Sequence, residues 1–122
     1  MKTVLVVDDE YDLLQAVCAA LEIEGYKTLA AGNGHAALEL LKTTRPDLVV
    51  SDVMMPQLSG YDLLKAMAND PRLRDVPSVL MSAIDTGGHP SGRWNAVLQK
   101  PFTAEALVDL VGRLIGEPTR QH

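Results

Sequence analysis

A single α/β domain, built on a parallel β-sheet with helices on both faces, is the fold the sequence predicts. Three observations lead there. Short apolar runs rich in β-branched residues recur along the chain, as in strands buried on both faces. Segments with apolar residues at helical spacing separate them. The two patterns alternate almost to the end of the chain, as in a parallel sheet covered on both sides.

Residues 4–7 form the first apolar run, and Asp8-Asp9-Glu10 ends it. Residues 11–24 follow as a helix, with Leu14, Val17, Cys18 and Leu21 at helical spacing, and Gly25 stops it. Residues 27–31 are a weaker strand and Gly32-Asn33-Gly34 a turn. Residues 36–43 form a second helix with Ala37, Leu40 and Leu41 inward. Arg45-Pro46 breaks it, because proline pushes the preceding residue out of the helical region. Residues 48–51 are the third strand, running into Asp52. After a loop holding Pro56, Ser59-Gly60-Tyr61-Asp62 has the Ser-x-x-acid form of a helix start, continued by Leu63, Leu64 and Met67. A connection over 71–77 leads to the fourth strand, 78–81, which ends at Ser82. The fifth, 96–99, ends at Lys100-Pro101. Thr103 can cap a last helix whose apolar face is Leu107, Val108, Leu110, Val111, Leu114 and Ile115. Gly116 closes it. The domain is expected to span 1–116, with 117–122 a polar, flexible tail.

Composition narrows the function classes. The 122 residues suit one domain with its own core. Hydrophobic residues at 47%, against 22% charged, argue against a disordered chain. The 16 acids and 11 bases give a net charge of −5, which supplies no bulk attraction for nucleic acid or an anionic membrane. Cys18 is the single cysteine, in an apolar helical setting that makes it a core residue. The first apolar run is too short for a secretory signal, and no stretch approaches membrane-spanning length. A cytoplasmic location is expected. His35, His89 and His122 are scattered without metal-ligand spacing. Met54, Met55, Met67 and Met81 read as loop and core filler.

The strand ends carry the chemistry. Open parallel sheets bind ligands outside the carboxyl ends of their strands. The residues expected there are Asp8, Asp9, Asp52, Ser82 and Lys100. Clustered carboxylates repel one another, and a hard cation such as Mg²⁺ keeps them ionised. Asp52 then suits a carboxylate nucleophile that forms an aspartyl phosphate. Lys100 can bring a cation to the phosphoryl oxygens, and Ser82 a hydrogen bond. Taken singly, each residue has a plainer role as turn former, helix cap or surface charge. Together they fall at four strand ends on one edge of one sheet.

The runs Leu5-Val6-Val7-Asp8-Asp9-Glu10, Ser51-Asp52-Val53-Met54-Met55-Pro56…Gly60, Met81-Ser82-Ala83 and Lys100-Pro101-Phe102 resemble the receiver domains of two-component response regulators. The resemblance runs in order from about residue 1 to 116. It implies a flavodoxin-like (CheY-like), doubly wound sheet of order 2-1-3-4-5. It implies that Asp52 takes a phosphoryl group from a histidine kinase or histidine phosphotransfer protein, which alters binding of a downstream protein. Asp8, Asp9, Asp52 and the backbone carbonyl of Met54 would hold Mg²⁺. Ser82 and Lys100 would bind the phosphoryl oxygens. Such a domain is a signalling phosphoacceptor rather than an enzyme with a separate substrate, and phosphorylation shifts a pre-existing equilibrium.

Two places depart from that pattern. Receivers usually carry an aromatic residue three positions before the lysine, where this chain has Val97. Trp94 is the nearest aromatic, either a substitute reporter or, as expected here, a packing residue. Between Ser82 and Lys100, Gly87, Gly88, Pro90 and Gly92 oppose the usual helix, which is expected to be shortened or missing. The positions two after Asp52 and two after Ser82 are Met54 and Ile84, which exclude water rather than orient it, so slow self-dephosphorylation is expected. A receiver-like binding module without switching is the alternative that Val97 and the loss of the helix favour, and the complete acidic cluster with Ser82 and Lys100 argues against it. An aspartyl-nucleophile phosphatase ranks last, because such enzymes generally place an acid where this chain has Met54.

Overall fold

The computed structural model describes residues 2–83 and 94–116. Its five strands are β1 (Thr3–Val7), β2 (Lys27–Ala31), β3 (Leu48–Asp52), β4 (Ser78–Ser82) and β5 (Ala96–Gln99). Every pairing is parallel, and the strand order is β2-β1-β3-β4-β5. The described helices are α1 (Tyr11–Ile23), α2 (Gly34–Leu41), α3 (Gly60–Ala68) and α4 (Ala104–Ile115).

The two-residue repeat of a strand divides the core into two layers. Val4, Val6, Leu48, Val50, Val79, Met81 and Leu98 pack with α1 and α4 through Leu14, Val17, Leu21, Leu107 and Val111. Leu5, Val7, Val49 and Leu80 pack on the other face with α2 and α3 through Ala37, Leu41, Leu63, Leu64 and Met67. Strands covered on both sides have no solvent face, so their sequences read as unbroken apolar runs. β3 and β4 are buried at every position, whereas the edge strands β2 and β5 are only partly buried.

Local signals set the helix ends. Ser59 and Asp62 form a full capping box at α3, and the Thr103 hydroxyl accepts from the Ala106 N–H at 3.0 Å to start α4. α2 begins at Gly34, earlier than the sequence suggests. The Asn33 side chain accepts from the Ala36 N–H at 2.7 Å and turns the Gly-Asn-Gly segment into a helix start. α1 ends at Ile23, with Gly25 at a φ of 104° just beyond. Lys2 donates to the Ile115 carbonyl, and the Tyr26 hydroxyl donates to the Gly116 carbonyl at 2.8 Å. These two bonds tie the end of α4 to the edge of the sheet opposite the strand ends that carry the acids.

Four helices among the described residues fit the expected shortening after β4. The Gly/Pro-rich segment itself, 84–93, lies outside the described residues, as does the expected tail, 117–122. Among the described residues no helix is long and apolar enough to cross a membrane.

Candidate functional site

β1 and β3 are neighbours with Val7 opposite Ser51, and this register sets Asp8 beside Asp52. Asp8 is fully buried, and Asp52 is 6% exposed. The Asp8 carboxylate accepts from the Glu10 N–H at 2.8 Å, which fixes its orientation. Asp9 is exposed. One carboxylate oxygen from each of Asp8, Asp9 and Asp52 lies within 4.8 Å of the others. Lys100 arrives from the end of β5. Its Nζ lies 3.2 Å from Asp52 Oδ1, 3.4 Å from Asp8 Oδ2 and 3.7 Å from Glu10 Oε1. The Lys100 N–H donates to the Ser82 carbonyl at 2.7 Å, which locks the lysine to the end of β4. Ser82 itself is buried. The Lys100–Pro101 peptide bond is cis.

Comparison with known proteins fits this arrangement. The response regulator receiver domain family matches residues 4–112. The chain belongs to that family. It is 28% identical over 120 residues to the polar-differentiation response regulator DivK of Brucella anthropi, covering 95% of this chain and 98% of DivK. It is 41% identical over 112 residues to the probable transcriptional regulatory protein TcrX of Mycobacterium tuberculosis, covering 87% of this chain but 46% of TcrX. The response regulator TrrA of Thermotoga maritima, solved in complex with Mg²⁺-BeF, superposes with a TM-score of 0.85 at 29% identity, covering 93% and 99% of the two chains. The receiver thus spans nearly all of DivK and less than half of TcrX.

The electrostatics of this receiver site are unbalanced. Burial, then the charge of Asp8, push the Asp52 carboxyl above its ordinary range, and Lys100 only partly offsets them. Burial pulls the Lys100 ammonium down, but its hydrogen bond to Asp52 and the charges of Asp52 and Asp8 outweigh this and raise it. In an isolated ion pair the acid would fall as the base rises. Here one cation serves several acids, so Lys100 gains more than Asp52 does.

The motif glycine has a steric reason. A Cβ at Gly60 would run into the Asp52 carbonyl oxygen and sit 3.1 Å from the Val53 Cα. The Gly60 N–H donates to the Val53 carbonyl at 2.9 Å, so the start of α3 is stitched against the end of β3. Between them Gln57 has a φ of 70°, a left-handed conformation that sequence reading did not anticipate.

Asp8, Asp9, Asp52 and Lys100, expected at strand ends, meet at one point, with Ser82 ending the adjacent strand. Met54 follows with its side chain 71% exposed, whereas Met55, Met67 and Met81 are core residues. Cys18 is buried, as expected, and His35 is exposed. Glu10 was missed as a partner of Lys100. Its only signal was membership of the Asp-Asp-Glu run. Trp94 packs with the α2–α3 core layer, its ring 5.4 Å from that of Tyr61 and tilted by 48°. Val97 packs against the same layer.

Proposed function

We propose that Asp52 accepts a phosphoryl group from a histidine kinase or histidine phosphotransfer protein. One observation carries the reading: a buried carboxylate at the end of a central strand has a lysine at 3.2 Å and two further carboxylates beside it. A carboxylate oxygen of Asp52 bonds to phosphorus as the P–N bond of a phosphohistidine breaks, and that bond's electron pair returns to the imidazole. Lys100 and Ser82 hold the phosphoryl oxygens. The clustered carboxylates of Asp8, Asp9 and Asp52 suit Mg²⁺, and the Met54 carbonyl would be the further oxygen ligand. When bound, the ion supplies charge neutralisation at the phosphoryl oxygens. TrrA, a similar protein, was solved in complex with Mg²⁺-BeF, which supports Mg²⁺ as the ion here.

The test is incubation with Mg²⁺ and acetyl phosphate, followed by intact mass. One phosphate adduct is expected, lost with chelator and in Asp52→Ala. No adduct, or an adduct that persists in Asp52→Ala, overturns the reading.

A second reading, a binding module without switching, draws on Val97 and on the packing of Trp94 against Tyr61. It predicts that beryllofluoride and Mg²⁺ perturb amide shifts only around Asp52. A switching receiver extends those changes along β4 and β5.

A further inference from the structure

We propose that Glu10 is a positioning residue for Lys100, keeping its ammonium beside Asp52 when a divalent cation takes up the carboxylates of Asp8, Asp9 and Asp52. The inference rests on the reading of that trio as a Mg²⁺ site and concerns a residue outside it. Lys100 has three acidic partners, Asp52 at 3.2 Å, Asp8 at 3.4 Å and Glu10 at 3.7 Å. The first two belong to the trio, whereas Glu10 does not. A divalent cation and the ammonium draw on the same two carboxylates and repel each other. Glu10 is then the partner left to Lys100, and it holds the lysine close enough to meet an arriving phosphoryl group.

The local structure supports this role over a purely helical one. Glu10 occupies the N-cap position of α1, yet its side chain makes no cap hydrogen bond. Ser, Thr, Asp and Asn are the residues that cap well there. The Glu10 carboxylate meets Lys100 instead. Its backbone N–H donates to the Asp8 carboxylate at 2.8 Å, so the residue is pinned to a member of the trio through its main chain alone. The Glu10 side chain is 69% exposed and that of Lys100 17%. Both line an open groove of about 550 Å³, which gives the ammonium room to leave the trio on the Glu10 side. Asp12 lines the same groove, but among the described residues it is in no ion pair. An ion pair with so exposed a partner adds little to stability, so its effect is on where Lys100 sits.

The test is a Mg²⁺ titration of the intact ¹⁵N-labelled chain, with amide shifts at Asp8, Asp9 and Asp52 giving the dissociation constant. Glu10→Gln is expected to weaken Mg²⁺ about three- to tenfold, because the displaced ammonium loses its alternative partner. Lys100→Gln removes the competitor and is expected to tighten Mg²⁺. In that background Glu10→Gln should change the affinity by less than about twofold, since no ammonium is left to hold. Equal weakening in both backgrounds means that Glu10 attracts the ion directly or acts only on the fold, and overturns the proposal. A second readout needs Glu10→Gln alone. With Mg²⁺ saturating, the ¹³C-labelled ε-methylene of Lys100 should move to the position of solvent-exposed lysines in Glu10→Gln and stay apart from it in the wild type. The same position in both chains overturns the proposal. Saturable Mg²⁺ binding that ignores Glu10→Gln overturns this inference alone, whereas a wild-type chain without saturable binding at the three acids overturns the metal reading as well.

Discussion

β3 and β5 each deliver one half of the Asp52–Lys100 pair, yet the sheet holds them in opposite ways. Every residue of β3 is buried, between β1 and β4 and under helices on both faces. β5 is an edge strand with a single buried residue, Leu98. Asp52 is therefore fixed by the core, whereas its counter-ion hangs from the edge of the sheet. The departures from the receiver pattern fall on the edge side, at Val97 and between β4 and β5. The proposed phosphoryl acceptance and its onward transmission would thus rest on parts of different burial.

The sharpest way to probe this contrast is a pair facing each other across the register, Leu80 of β4 and Val97 of β5. Leu80→Ala empties a fully buried site and is expected to cost about 2–5 kcal/mol, while Val97→Ala costs about 1 kcal/mol or less. Urea denaturation of both variants checks this, and equal losses would break the comparison. Gly60→Val comes next, at about 1–3 kcal/mol, because backbone at Asp52 and Val53 cannot give way as a flexible side chain does.

The third probe is pH. Asp52 has a folded pKa held above 3.8, first by burial and then by Asp8. Between 3.8 and the raised value the native state binds more protons than the unfolded chain. The stability of the protonated form is full below the unfolded pKa and is lost as pH rises through the folded one. Asp52→Asn is therefore expected to raise the melting temperature at pH 7 in chelator, with the gain shrinking as pH falls towards 4. A constant gain across that range would count against the electrostatic account. Met54→Asn has the smallest effect on stability, within about 0.5 kcal/mol for an exposed side chain. Its effect is kinetic. Loss of phosphate, followed by ³¹P NMR, should speed up, and a wild-type phosphoform that decays within seconds would contradict water exclusion by Met54.

The legible parts of the molecule were those set by local rules. Apolar runs marked the central strands, and Ser59 and Thr103 announced their helices by capping. Asp8, Asp9, Asp52 and Lys100 could be brought together from sequence because strand ends of a parallel sheet share one edge. The pairing of Glu10 with Lys100 was not legible, since the two are ninety positions apart and meet only once β1 and β5 lie in one sheet. The early start of α2 turned on one side-chain bond from Asn33, in a segment whose glycines read as a turn. The ties from Lys2 and Tyr26 to the end of α4 depend on where that helix crosses the sheet, which no local pattern states.

The account rests on Asp52 as the acceptor, and chemical trapping tests that most directly. An aspartyl phosphate is an acyl phosphate, so borohydride reduces it to homoserine at the modified position. After treatment with acetyl phosphate and Mg²⁺, peptide mass analysis should find homoserine at position 52 and at no other acid. Homoserine at Asp8 or Asp9, or none anywhere despite a phosphate adduct, would contradict it.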